Sequence, residues 1–257
     1  MTTLPVRADV AHETFVPKAR GGSTIEAPMS SQIRVVPLHV ADFVHPAGSP
    51  IAGTGGVVMA YAVVHPDGLL LFDTGIGFGD PDIDAAYRPT VRSVPALLRE
   101  AGLDPAAVAA IATSHLHFDH CGQNLAFPDV PIHVQAAEYD AAHGPDYTIT
   151  AWVDFAGVRY ELHDGETELL PGIRIVPTPG HTPGHQSLVV DDPDGRPTIL
   201  VGQAVYTRRE WEGSDDPAFS GLAGAPDPGA YRASVARLRS LEPDLVLFGH
   251  DRSVVRS

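Results

Sequence analysis

Short apolar runs rich in Val, Ile and Leu, broken by Gly, Pro and Asp, dominate the chain from residue 33 onward. Runs of this kind read as strands when turn residues bound them. The segments IRVVPLHV (33–40), GVVMAYAVV (56–64) and GLLLFD (68–73) predict three strands, the last two joined into a hairpin by the turn HPDG (65–68). SVPALLREAG (93–102) predicts a helix capped by Ser93, with Pro95 in its first turn and Gly102 ending it. A short helix from Asp104 leads into a strand over 109–113. Further strands are predicted over 132–135, 172–177, 186–191, 198–202 and 244–248, with a short helix over 136–142 and a clearly amphipathic one over 227–241. Strands alternating with helices indicate an α/β domain. Residues 1–30 carry Pro, Gly and Ser without a sustained period and read as an N-terminal extension, leaving 31–257 as the domain. The connection 143–160 is long for a structureless loop, which points to a functional one.

Composition narrows the function more than the fold. Of 257 residues, 17 are basic and 32 acidic, a formal net charge of −15. That field repels a phosphate backbone, so nucleic acid is not an expected partner. The start of the chain lacks an apolar leader, and no run approaches a membrane span, so a cytoplasmic protein without a membrane partner is expected. The single cysteine, Cys121, rules out an internal disulfide.

Chemistry concentrates where strands end. TSHLHFDHCG (113–122) follows the strand 109–113 and holds His115, His117, Asp119 and His120 within six positions. His181 follows the strand 172–177, Gln203 follows 198–202, and His250 follows 244–248. Loops leaving one edge of a sheet can converge on one point. Imidazoles and carboxylates without a thiolate pair suit zinc, iron or manganese in an open catalytic site.

The motifs SHLHFDH, PGHTPGH and FGHD resemble the metallo-β-lactamase superfamily, and HLHFDHCGQN is most similar to its N-acyl-homoserine-lactonase branch. The resemblance covers about residues 32–251 and implies an αββα sandwich with the site in a cleft between the sheet edges. It implies one metal on His115, His117 and His181, and a second on Asp119, His120 and His250. It implies lactone opening by a metal-bound hydroxide, with Tyr206 donating to the substrate carbonyl. Asp119, or a metal-bound water, then returns a proton to the leaving alkoxide. Asp73 is implied to stand behind the ligands and orient one of their histidines, with an N-cap or turn aspartate as the alternative. His185, four residues past His181, reads as a packed, hydrogen-bonded histidine behind the ligands rather than as a ligand. Where the superfamily has a bridging aspartate, this chain has Gln203, whose neutral amide offers one carbonyl oxygen. Zinc is therefore expected, tight at the first site and weaker at the second, with iron or manganese as substitutes. The substrate expected is a lactone or ester of small size, and a homodimer is compatible with the sequence.

Other readings stay open. The same scaffold hydrolyses other esters, thioesters and β-lactams; Gln203 allows a metal- or ligand-binding protein with little turnover; an iron oxygenase of this fold is a third alternative. Tyr147, Trp152, Phe155, Trp211 and Phe219 would suit an acyl chain if they flank the cleft, and loop anchoring explains them nearly as well. His12, His39, His45, His65, His133, His143 and His163 lack sequence partners and read as surface or core. DTGIGFGD (73–80) lacks the dinucleotide-loop spacing and reads as a turn. Cys121 reads as packing rather than as a nucleophile.

Overall fold

A computed structural model describes residues 4–5, 33–192, 195–214, 216 and 218–256. Two sheets stack face to face. The first contains β1 (Leu4–Pro5), β2 (Arg34–Val44), β3 (Gly55–His65), β4 (Gly68–Phe72), β5 (Thr90–Val91), β6 (Val108–Ala112), β7 (Pro131–Gln135) and β8 (Arg159–His163). From β1 to β4 neighbours pair antiparallel, and β4, β6, β7 and β8 pair in parallel. The second contains β9 (Thr167–Leu170), β10 (Ile173–Pro177), β11 (Gln186–Val190), β12 (Thr198–Leu200), β13 (Leu245–Leu247) and β14 (Val255–Arg256). Its one parallel pairing joins β12 to β13.

Alternation along the strands sorts their side chains into layers. Met59, Tyr61 and Val63 of β3 meet Leu188 and Val190 of β11, Leu200, and Leu245 and Leu247 between the sheets. The intervening Val58, Ala60 and Ala62 face outward, under α1 (Pro81–Tyr87), α2 (Val94–Glu100), α3 (Phe118–Cys121), α4 (Ala136–Ala142) and α5 (Thr150–Val153). Behind the second sheet, Val189, Ile199 and Val246 pack with Leu238 of α7 (Pro228–Ser240) and with Trp211 of α6 (Arg208–Trp211). The layers are αββα. Sheets covered on both faces need strands apolar on both sides, which is why the sequence showed continuous runs rather than alternation.

The extension proposed for residues 1–30 lies outside the described residues except Leu4–Pro5, which pair with β2 at Val35 and Arg34. Ser93 stands at the start of α2 but makes no side-chain cap. Gln123 takes that role, its Oε1 accepting from the Val94 N–H at 2.8 Å. The connection 143–160 is not structureless: it contains α5 and the start of β8. No helix among the described residues is long and apolar enough to cross a membrane.

Candidate metal centre

Both sheets deliver their loops to one end of the sandwich. β6 leads into His115 and His117, and the single turn of α3 carries Asp119 and His120. The second sheet supplies His181 between β10 and β11, Gln203 after β12, and His250 after β13. Backbone bonds hold this end together: the Met59 N–H donates to Gly249 O at 2.8 Å, and the Gly249 N–H to Gly202 O at 3.1 Å. Gly202 has φ +58°, and a Cβ there would come within 2.7 Å of the Ser114 Cβ. Only glycine lets the Gln203 loop lie this close to the histidine loop.

His115 Nε2, His117 Nδ1 and His181 Nε2 form a triangle with edges of 3.0, 3.2 and 3.2 Å. Imidazole nitrogens about 2.0–2.1 Å from one zinc ion at tetrahedral angles lie roughly 3.3 Å apart, so the triangle has the size of a ligand face. Burial drives His115 and His181 well below the usual histidine range, with repulsion from neighbouring imidazoles adding to it. Burial also lowers His117, against the pull of Asp119 and Glu138. Three neutral imidazoles with converging lone pairs are ready metal ligands.

A second group adjoins the first. His120 Nε2 lies 3.2 Å from His250 Nε2, and Asp119 Oδ2 is 3.7 and 3.6 Å from these two nitrogens. The Gln203 Oε1 is 3.2 Å from His250 Nε2, so the amide does face this group. The outer nitrogens are tied down. His250 Nδ1 donates to Val57 O at 2.9 Å, and His120 Nδ1 to Asp73 Oδ2 at 2.9 Å. Asp73 also accepts from the Ser114 N–H at 2.6 Å and its hydroxyl at 2.9 Å, and that hydroxyl stands 3.0 Å from His115 Nδ1. One buried carboxylate thus orients imidazoles of both groups. Burial opposes charge on His120, but Asp119 and Asp73 outweigh it and raise the group to about 9. The donors of both groups fit divalent cations: nitrogen and oxygen ligands, aimed inward and fixed from behind.

His185 does not join either group. It accepts from the Gln203 N–H at its Nε2 (3.0 Å), its Nδ1 lies 2.8 Å from the Thr178 hydroxyl, and burial lowers it to about 3. It therefore sets the position of the Gln203 backbone. Cys121 is fully buried, its thiol directed to Leu116 O and pushed up by burial. A pocket of about 190 Å³ opens over the second group, lined by His117, Asp119, Gln203, Tyr206 and His250 and walled by Phe43, His45, Ile76, Tyr87 and Phe118. The Tyr206 ring lies 4.8 Å from that of His250.

The pocket's aromatic wall corrects the sequence reading. Trp152 and Phe155 belong to the core under α5, Trp211 packs behind the second sheet, and Phe219 stacks under Arg209. Tyr147 packs on His117 at 4.7 Å but donates its hydroxyl to Glu138. His45, whose sequence reads as surface or core, lines the pocket. Two buried carboxylates also escaped notice. Glu210 accepts from the Tyr206 N–H at 2.5 Å, the Ser220 hydroxyl at 2.7 Å and the Tyr231 hydroxyl at 3.0 Å, anchoring the Tyr206 loop to α7. Glu138 accepts from the Leu116 N–H at 2.8 Å, the Thr182 hydroxyl at 2.6 Å and Tyr147, joining the 115–117 loop to the 181 loop. Nothing in one sequence separates these acids from exposed helix residues. Glu138→Leu would leave three donors without an acceptor, and is expected to lower the stability of the chelated protein by about 3–5 kcal/mol. A denaturant midpoint unchanged from wild type would refute that account.

The chain matches the model of the Metallo-beta-lactamase superfamily over residues 53–250. It is 33% identical over 210 residues to an N-acyl homoserine lactonase of a Bacillus species, covering 76% of this chain and 81% of the relative. The N-acyl homoserine lactonase AiiA of Bacillus thuringiensis subsp. kurstaki is 32% identical over the same length and coverage. A solved N-acyl homoserine lactone hydrolase, with the product N-hexanoyl-L-homoserine bound at its catalytic metal center, superposes with a TM-score of 0.70 at 27% identity, covering 86% of this chain and 93% of that one. With these candidate ligands gathered at one end of an αββα sandwich, the chain belongs to the metallo-beta-lactamase superfamily and resembles the N-acyl homoserine lactonases within it.

Proposed function

We propose that the protein is a metal-dependent hydrolase that opens the ring of an N-acyl homoserine lactone. The observation that carries this is a pocket over the Asp119–His120–His250 group, which abuts the His115–His117–His181 group, with the Tyr206 ring packed beside His250. His115, His117 and His181 would hold one divalent metal, and Asp119, His120 and His250 a second. Bound there, such ions supply an activated water and a Lewis acid for the carbonyl. The protein's own residues do the rest. Burial, with Asp119 adding to it, holds the Tyr206 phenol protonated, so it donates to the carbonyl oxygen as negative charge develops. The water oxygen bonds to the carbonyl carbon and its proton passes to the Asp119 carboxylate. The ring C–O bond then breaks, and Asp119 returns the proton to the leaving oxygen, giving the hydroxy acid. Each turnover releases an acid. The test is pH-stat titration with acyl-homoserine lactones of varied chain length beside a chromogenic ester and a β-lactam; the reading fails if no lactone is opened.

Gln203 supports a second element of the reading, unequal metal sites. The six expected ligands carry one negative charge, that of Asp119, against four positive charges on two divalent ions. A bridging carboxylate would lower that excess by one further charge and offset part of the repulsion between the ions; an amide leaves it. The Asp119–His120–His250 site is expected to empty first in a competitive chelator titration, and Gln203→Asp to tighten it, since a carboxylate can give one oxygen to each ion. Metal counts showing two equally tight ions in the wild type, unchanged by the substitution, would overturn this.

A further inference from the structure

His45 emerges from β2 on a short loop whose backbone is pinned on both sides. Its N–H donates to Thr54 O and its carbonyl accepts from the Gly53 N–H, each at 2.9 Å. The ring sits edge-on to Phe43, with centroids 4.9 Å apart. It therefore has a fixed direction, and that direction is toward Tyr206: His45 Nε2 lies 3.3 Å from the phenol oxygen. Among the described residues the phenol hydroxyl has His45 as its side-chain partner in the pocket.

We infer that His45 is a positioning residue for Tyr206: its neutral imidazole donates from Nε2 to the phenol oxygen and leaves the phenol proton free for the substrate carbonyl. This rests on the lactonase reading given above. The chemistry requires that direction. A phenol carries one proton and can accept through its oxygen lone pairs. If the proton were committed to His45, it could not meet the developing oxyanion. If His45 donates instead, the phenol is held over the second ligand group, and electron density drawn from its oxygen makes it a better donor.

Two measurements decide it. The first is kinetic, on metal-loaded protein with a lactone the wild type opens. His45→Ala is expected to lower kcat roughly five- to ten-fold, the size of one hydrogen bond, with KM and metal content unchanged. His45→Gln, whose amide can donate across the same gap, is expected to restore kcat to within about two-fold of wild type. In a Tyr206→Phe background, His45→Ala is expected to cost nothing further, because the group it acts through is gone. An equal loss in both backgrounds, or no loss in either, overturns the assignment. The second measurement needs no turnover. Nitrogen NMR of the histidine rings, with His45 assigned by its loss in His45→Gln, is expected to show the Nε2–H tautomer and a shift of that signal in Tyr206→Phe. An unprotonated Nε2 accepting from the phenol overturns it. Absence of any lactone turnover in the wild type would instead refute the lactonase reading, with the NMR result still deciding the pair.

Discussion

His117→Ala is expected to lose most of the bound metal and all measurable lactone opening. The side chain supplies one corner of the 3.0–3.2 Å nitrogen triangle. Leu116 is tied to Glu138, and His120 to Asp73, so the neighbouring backbone cannot shift to compensate. Two imidazoles alone hold a divalent ion far more weakly than three, and without the ion the water is not activated. The loss of turnover should exceed about a thousand-fold, since most of the nucleophile's reactivity at neutral pH comes from the ion. His117 is itself partly exposed toward the pocket, so the fold should survive the change. The check is elemental analysis beside circular dichroism: a folded variant with full metal occupancy would sink the assignment.

Tyr206→Phe is expected to lower turnover by about ten- to a thousand-fold, with metal content unchanged. The two variants separate the metal from the donor. Tyr206 touches the second ligand group only through ring packing on His250, so removing its hydroxyl should not disturb the ions. Its backbone is held by Glu210, and the phenylalanine ring keeps the same place. What is lost is a hydrogen bond that strengthens as the carbonyl oxygen becomes charged, which appears in kcat more than in KM. A variant with wild-type kcat would show that the phenol is not the oxyanion donor.

The sequence was legible where burial on both faces, or a capping residue, left a pattern. The apolar runs marked β2 to β4, β6, β7 and β10 to β13, and the helix expected over 136–142 matches α4 residue for residue. Elements without such a pattern were not seen. β8 (RYELH) and β9 (TELL) lie at sheet edges and hold no fully buried residue, so no apolar pattern marks them. α1 does carry a sign, Asp80 before Pro81 with its carboxylate accepting from the Asp82 and Ile83 N–H groups, but at seven residues it is too short to show a helical period. The candidate ligands stood out because three histidines and Asp119 sit within six residues. His45, Glu138 and Glu210 did not, since each acts through partners far away in sequence, such as Tyr206 at a separation of 161 residues.

The ligand groups draw on both sheets, and His120 and His250 touch across 130 residues of sequence. An ion held there would act as a rivet between two halves already joined by their apolar faces and by hydrogen bonds such as that from the Met59 N–H to Gly249 O. Because ions bind the assembled form and not the open chain, occupancy at about a thousand times the dissociation constant adds roughly 4 kcal/mol to the resistance to unfolding. Cellular quality control responds to changes of that order. Variants of the ligand residues should therefore disappear from cells as well as from assays, and a screen scored on activity alone would mistake scarcity for failed chemistry.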